Sequence, residues 1–220
     1  KEFQALFPAM PAWSAQNGLY WTRDLPQAIT LTAEPGHFIY VGRLVPEKEP
    51  ELMIRAFTRA QQMGVVPQST KLIIVGTGTL ADSLIRAYAQ HPSIEFIGEC
   101  TDLHRLADLY AQSLAAVSPG AVGLAAVQAF GFGVPLLLPH GVVHNPEIEA
   151  CAAGFNCEFF EADNAQALAD LMAQVVQQRA VWVERRAAIA QRCRAHYSLD
   201  AMLASFSQAI DYFLSDAVVT

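Results

Sequence analysis

Residues 37–57, HFIYVGRLVPEKEPELMIRAF, pass from a short apolar run through a polar loop into an amphipathic segment. The run from His37 to Val41 is typical of a buried strand that ends at Gly42. Pro50 suits the first turn of a helix, and apolar residues then return every three or four positions until Gly64. This stretch therefore predicts a strand, a loop and a helix in immediate succession.

The same order of elements continues along the chain. Apolar runs predict further strands at residues 71–75, 94–97, 114–117 and 135–138. Helices are predicted over residues 80–88, from the N-cap Asp102, over 122–130, after Asn145-Pro146, after a capping box of Asp163 and Gln166, over 181–197 and over 199–215. Short apolar strands that alternate with helices predict a doubly wound α/β domain, with a parallel sheet buried on both faces and extra C-terminal helices. The proline-punctuated residues 1–36 are predicted to be an irregular arm or interdomain remnant.

The composition excludes several classes of protein. Apolar residues make up 53% of the 220 residues and charged residues 16%, which excludes an intrinsically disordered chain. Because 21 acidic residues outnumber 14 basic ones, for a net charge of −7, we expect neither a nucleic-acid partner nor an extended anionic-membrane footprint. We find neither an apolar run of about 18 residues nor a signal peptide, so no membrane span is expected. The four cysteines lack the spacing of a metal site and are expected to be reduced thiols.

In a doubly wound sheet, ligands bind beyond the carboxyl ends of the strands, so the loops there hold the candidate residues. Arg43 and Lys48 follow the first strand and precede a helix N-terminus, which already disfavours cations. An anion bound between these two cations and the helix end would explain the pair. The forked guanidinium of Arg43 and the compact ammonium of Lys48 together suit a diphosphate. In the alternative interpretation, Glu47 and Glu49 neutralise these two cations in an ordinary solvated loop.

Two other loops carry weaker signals. Gly76 and Gly78 follow the second strand and indicate a close backbone approach, either to a ligand or only to the next helix. Glu99 follows the third strand and could bond the edge of a base or ribose, or could simply face water.

The loops after the fourth and fifth strands are more informative. Residues 118–124, SPGAVGL, present bare backbone amides and small side chains at a helix start. Gln128 is the only residue with a polar side chain from Val122 to Phe130, and its amide would pair with ribose hydroxyls or with a backbone carbonyl. His140 and His144 lack a metal-binding pattern, and one of them is a candidate to bond a sugar hydroxyl.

Four ordered motifs together resemble one known family. They are FIYVGRLVPEKEPELMIRAF (38–57), KLIIVGTGTLADSL (71–84), IEFIGECTDLHRLADLYAQS (94–113) and SPGAVGLAAVQAFGFGVPLLL (118–138). The chain resembles, from about His37 to about Phe213, the C-terminal domain of retaining family 4 glycosyltransferases of the GT-B fold. The resemblance implies a Rossmann-like domain that holds a nucleotide-diphospho-sugar of the UDP or GDP type, with no cofactor and no metal.

The resemblance also assigns roles to individual residues. It implies that the catalytic cations Arg43 and Lys48 hold the diphosphate beside Gly42. The turn that meets sugar and phosphate falls on four consecutive residues, Ala121, Val122, Gly123 and Leu124. The glycines of the second loop fall on Gly76 and Gly78, and the region against the base falls on residues 96–100, which include Phe96, Glu99 and Cys100.

One departure from the family's pattern concerns two acidic residues eight positions apart. Their places fall on Gly120 and Gln128, and neither of these is acidic. A glutamine can still bond ribose through its amide, whereas Gly120 brings no side chain to the donor sugar. The departure leaves the identity of the donor open.

Sugar transfer to a saccharide or lipid-linked acceptor is the expected function, within cell-surface polysaccharide biosynthesis. A second, acceptor-binding N-terminal domain is expected outside this chain, because 220 residues are about half of what two such domains need. We expect the full-length enzyme to be cytoplasmic, with peripheral association on the inner face of the plasma membrane as an option. The alternatives are a nucleotide-sugar 2-epimerase of GT-B architecture, and a non-catalytic nucleotide-sugar or carbohydrate-binding module.

Overall fold

The computed structural model describes residues 5–6, 8, 10–26 and 35–216. The strands are β1 (His37–Val41), β2 (Leu72–Val75), β3 (Ile94–Gly98), β4 (Ser113–Val117), β5 (Leu136–His140) and β6 (Cys157–Glu161). The helices that follow residue 35 are α1 (Pro50–Gln62), α2 (Ala81–Tyr88), α3 (Leu103–Ala111), α4 (Leu124–Gly131), α5 (Ala165–Gln177), α6 (Arg179–Tyr197) and α7 (Leu199–Asp216). Single 3₁₀ turns lie at Thr22–Asp24, Pro46–Lys48 and Pro146–Ala150.

The six strands form one parallel sheet in the order β3-β2-β1-β4-β5-β6. Phe38 of β1 stands opposite Leu72 of β2 on one side and opposite Ala115 of β4 on the other. The chain winds outward in one direction from β1 to β3 and in the other from β4 to β6, so the winding reverses between β1 and β4. A ligand crevice is expected at the carboxyl ends of these two strands.

Alternating side chains of the sheet build a core on each face. Phe38 and Tyr40 pack on one face with buried residues of α1, α2 and α5, whereas Ile39 packs on the other with buried residues of α3, α4 and α6. Burial on both faces explains the unbroken apolar strands, and it confirms the predicted doubly wound, Rossmann-like fold.

Two of the predicted elements were wrong or incomplete. The sequence predicted only helices after the fifth strand, but residues 157–161, CEFFE, form β6 at the sheet edge beside β5. The predicted capping box at Asp163 does not form, because Asn164 is the N-cap of α5 and accepts a hydrogen bond from the Ala167 amide. Asp163 instead adopts a positive φ of 56°. The predicted N-cap Asp102 is confirmed by its hydrogen bond from the His104 amide.

Residues 10–26 of the predicted arm contain one 3₁₀ turn and contact the domain through hydrogen bonds. Its Tyr20 carbonyl accepts a hydrogen bond from the Leu199 amide, and the Thr22 amide donates to Asp200. The rest of the predicted arm, residues 1–4, 7, 9 and 27–34, lies outside the described residues. Within the described part of the chain, no helix has both the length and the hydropathy that a membrane span requires.

Candidate functional site

The loop after β1 is fixed by hydrogen bonds on both sides. The Tyr40 hydroxyl donates to the carbonyl of Arg43 at 2.6 Å, and the Leu44 amide donates to the carbonyl of Thr77 at 2.9 Å. These bonds hold the backbone of residues 40–44 and leave the Arg43 side chain exposed.

The glycines of the loop after β2 allow it to pack closely on the loop after β1. A β-carbon on Gly76 would lie 1.9 Å from the carbonyl oxygen of Gly42, and one on Gly78 would lie 2.4 Å from that of Leu44. Both glycines also have positive φ. The close backbone approach that the sequence predicted is therefore an approach to the loop after β1.

Lys48 ends the 3₁₀ turn Pro46–Lys48, and its ammonium donates to the carbonyl oxygen of Ala121 in the turn before α4. Burial is the main cause that lowers the pKa of Lys48, and the charge of Arg43 lowers it further. Among the described residues, neither Arg43 nor Lys48 forms a salt bridge with Glu47 or Glu49, although the charge of Glu47 partly offsets the lowering of the Lys48 pKa.

The turn at residues 120–124 packs closely on the loop that carries Lys48. A β-carbon on Gly120 would lie 2.5 Å from the carbonyl oxygen of Glu47 and 3.1 Å from Lys48 Cα. The Val122 amide donates to His144 Nδ1, while His144 Nε2 pairs with the carbonyl of Pro139 at 2.9 Å. Both nitrogens of this imidazole are therefore occupied in holding the turn.

Helix α4 begins at this turn, and no side chain caps its N-terminus. Gly123 is the N-cap, no side chain bonds the amides of the first turn, and no acidic residue lies there. The first amides of a helix lack partners within the helix and carry partial positive charge. This end of α4 therefore favours an anion.

These elements surround a cleft of about 510 Å³ at the carboxyl ends of β1 and β4. Its lining includes six of the predicted site residues, namely Gly42, Arg43, Lys48, Gly123, Leu124 and Gln128. Two cations and a helix N-terminus thus meet at the crevice where the winding of the sheet reverses. The arrangement is chemically suited to an anion with two phosphates.

Other predicted site residues lie elsewhere. Phe96 is in β3, and Glu99 and Cys100 follow it, two strands away from β1 at the sheet edge. His140 is the last residue of β5 and is exposed. Neither these residues nor Gly76 and Gly78 belong to the lining of the cleft.

Gln128 has a protein partner that neither interpretation of the sequence foresaw. Its side-chain amide donates to the Tyr20 hydroxyl at 2.7 Å, and burial raises the pKa of Tyr20. The ring of Tyr20 also meets Phe132 edge-on at 6.2 Å. The partner comes from the arm, over 100 residues away in sequence, so spacing within α4 could not indicate it.

The sequence reasoning also missed Glu147, a buried carboxylate in the cleft. Asn145 and Pro146 were predicted only as the start of a short helix, which the structure shows as the 3₁₀ turn Pro146–Ala150. One Glu147 oxygen accepts a hydrogen bond from the Asn17 side-chain amide at 2.8 Å. Among the described residues no group of three or more potential metal ligands is present.

Several solved structures share this fold at low sequence identity. Sucrose-phosphate synthase from Thermosynechococcus elongatus superposes with a TM-score of 0.70 at 18% identity, covering 98% of this chain and 56% of that one. The pneumococcal O-GlcNAc transferase GtfA, in complex with UDP and GlcNAc, gives a TM-score of 0.64 at 17% identity, covering 91% and 39%. Anabaena Alr3699/HepE, in complex with UDP-glucose, gives 0.60 at 18%, covering 82% and 50%.

The chain therefore spans about two fifths to just over half of the length of these neighbours. A comparison with curated proteins finds no match. The family profile described as Glycosyl transferases group 1 matches residues 23–196, which include every strand of the sheet. The chain belongs to the group 1 glycosyltransferases, with the Rossmann-like fold of a GT-B domain.

Proposed function

We propose that this chain is the donor-binding half of a retaining, metal-independent glycosyltransferase. The donor is a nucleotide-diphospho-sugar of the UDP or GDP type, and the acceptor is a saccharide or a lipid-linked saccharide. The single observation that carries the proposal is the convergence of Arg43, Lys48 and the N-terminus of α4 on one cleft.

The chemistry follows from the charges at this cleft. When the bond between the sugar C1 and the diphosphate oxygen breaks, negative charge develops on the departing diphosphate. Two fixed cations and the uncapped amides of α4 stabilise that charge without a metal ion. The acceptor hydroxyl forms the new bond to C1 on the face that the diphosphate leaves, and its proton passes to the departing phosphate oxygen.

Most of the acceptor site belongs, in this proposal, to a domain outside the chain. The partial coverage of the solved neighbours supports this division. We expect the chain alone to bind nucleotide but to transfer little sugar, because closure of a second domain over the donor is missing. The wider role, also proposed, is cell-surface polysaccharide assembly on the cytoplasmic side of the plasma membrane.

Isothermal titration calorimetry with UDP and GDP tests the donor site. Replacing Lys48 by Ala removes a charge-assisted contact of about 1.5–3 kcal/mol, so we expect Kd to weaken roughly 10- to 100-fold. Arg55→Ala is the matched control, because it removes the same charge from an exposed position on α1. Unchanged affinity of Lys48→Ala for the nucleotide that the wild type binds would refute the proposal, as would loss of binding when EDTA is added.

Product analysis separates the proposal from its alternatives. With the full-length enzyme and a nucleotide-sugar, release of nucleotide that depends on the acceptor indicates a transferase. A changed sugar or free nucleotide formed without acceptor indicates an epimerase-like reaction. Binding with no reaction in either assay indicates a binding module.

A further inference from the structure

Glu147 occupies a defined position in the cleft. Its side chain is only 8% exposed, and its Oε1 is held by the Asn17 amide at 2.8 Å. Among the described residues, Oε2 receives no hydrogen bond. A β-carbon on Gly123 would lie 3.7 Å from that oxygen, so Oε2 faces the turn at the start of α4. One oxygen is therefore anchored by the protein, and the other remains available to a ligand.

The loop that carries Glu147 is attached to the same turn. The Asn145 amide donates to the carbonyl of Val122 at 3.0 Å, and the imidazole of His144 receives the Val122 amide at 3.1 Å. These two bonds fix the distance between the carboxylate and the N-terminus of α4. Glu147 is thus preorganised relative to the place where the anion is expected to bind.

The chemistry of a carboxylate limits what it can contact there. An ionised carboxylate only accepts hydrogen bonds, and it repels phosphate oxygens. Its charge acts on Lys48, where it raises the pKa against the stronger lowering by burial. Among the described residues that line the cleft, Glu147 is the only one with a carboxylate. Its partner in a sugar nucleotide must therefore be a hydrogen-bond donor, which is a hydroxyl of the transferred sugar, a hydroxyl of the ribose or an N–H of the base. Only the first of these is absent from UDP and GDP, so a comparison with the nucleoside diphosphate identifies it.

We propose that Glu147 Oε2 accepts a hydrogen bond from a hydroxyl group of the donor's sugar, so that Glu147 contributes to recognition of the sugar and not of the nucleotide. This inference rests on the proposed function, since it requires a nucleotide-diphospho-sugar in the cleft. In this proposal, Glu147 supplies the carboxylate for the sugar, which the glycine at position 120 cannot supply.

The test compares two affinities for each variant, measured by titration calorimetry. The probes are UDP and GDP alone, and UDP-glucose, UDP-GlcNAc and GDP-mannose. In Glu147→Gln, Asn17 still holds the remaining oxygen, so an amide replaces the charged acceptor Oε2. We expect the affinity for the matching sugar nucleotide to fall about tenfold, while that for the nucleoside diphosphate stays within twofold.

Two control variants separate recognition from a purely structural role. Glu149→Gln removes the same charge two positions further on, from an exposed residue outside the cleft lining, and should leave both affinities unchanged. Asn17→Ala removes the anchor but keeps the carboxylate, and should lower the sugar-nucleotide affinity less than Glu147→Gln does.

The outcomes distinguish the two proposals. If the wild type binds neither UDP nor GDP, the proposed function fails and this inference fails with it. If the wild type binds nucleotide but Glu147→Gln leaves the ratio of the two affinities unchanged, only the inference is overturned. The same holds if no sugar nucleotide binds.

Discussion

Replacing Gly120 by alanine tests how the turn before α4 sets the position of Lys48. Gly120 is buried, and backbone atoms of Glu47 and Lys48 fill the space that a β-carbon would occupy. That carbon would lie 2.5 Å from the Glu47 carbonyl oxygen and 3.1 Å from both Cα and the carbonyl carbon of Lys48. Backbone atoms cannot rotate away, so either the Glu47–Lys48 segment or the turn itself has to shift.

The expected magnitude follows from these distances. The carbonyl oxygen is about 0.9 Å short of ordinary van der Waals contact at 3.4 Å. Such overpacking costs about 1–3 kcal/mol, which lowers Tm by about 2–12 °C in a chain of this size. The shift also loosens the hydrogen bond from Lys48 to Ala121. We therefore expect the Kd for the nucleoside diphosphate to weaken about tenfold, or about 1.4 kcal/mol.

A second glycine provides the control. Gly64 has a φ of +71° and no atom within 4 Å of its would-be β-carbon, so Gly64→Ala costs about 1–2 kcal/mol through backbone strain alone. Gly64 lies just beyond the C-terminal end of α1, about 20 Å along the helix axis from Pro50. Thermal unfolding and calorimetry should show comparable stability loss in both variants but weaker binding only in Gly120→Ala. Equal binding by the two variants would refute the reasoning.

Three further predictions concern stability. Arg186 is 2% exposed, and its guanidinium donates to three main-chain carbonyls. We therefore expect Arg186→Met to lower the free energy of unfolding in urea by about 3 kcal/mol, and a loss below about 1 kcal/mol would contradict this. Burial and then Lys71 lower the pKa of His37, so its stabilising contribution is present above its ordinary pKa of 6.5 and is lost as pH falls below it. Tm should therefore drop less between pH 7 and pH 5 in His37→Asn, and an equal drop would count against this origin. Glu49 has a φ of 49° and a buried oxygen without a hydrogen bond, so Glu49→Gly should raise Tm by about 2–4 °C, whereas a lower Tm would contradict the strain.

The sequence predicted the sheet well where strands are buried on both faces. Residues 37–41 and 72–75 are continuous apolar runs, because each pairs with a strand on both sides and is covered by helices on both faces. The edge strand Cys157–Glu161 was not predicted. It pairs with a neighbour on one side only and is partly exposed, and two of its five residues are glutamates. The other edge strand, β3, was predicted from its apolar residues 94–97, so edge position alone does not hide a strand.

The candidate site was predictable only as far as it follows the chain order. Arg43, Lys48 and the turn at 120–124 follow β1 and β4, and parallel topology brings the carboxyl ends of these strands together. Contacts made by the arm were invisible, since nothing near Tyr20 or Asn17 in sequence indicates Gln128 or Glu147 as a partner. Those contacts depend on where the arm crosses the domain.

Packing accounts for the glycine at the first of the two positions that are acidic in the family that the chain resembles. Gly120 accommodates the Glu47–Lys48 backbone, and Gln128 binds the hydroxyl of Tyr20. A glutamate at position 120 would press on the backbone of Glu47 and Lys48, so it would disturb the proposed diphosphate site. Gly120 therefore lets the turn pack directly on the backbone of the loop that carries Lys48, and in our proposal the carboxylate for the sugar comes from another loop, that of Glu147.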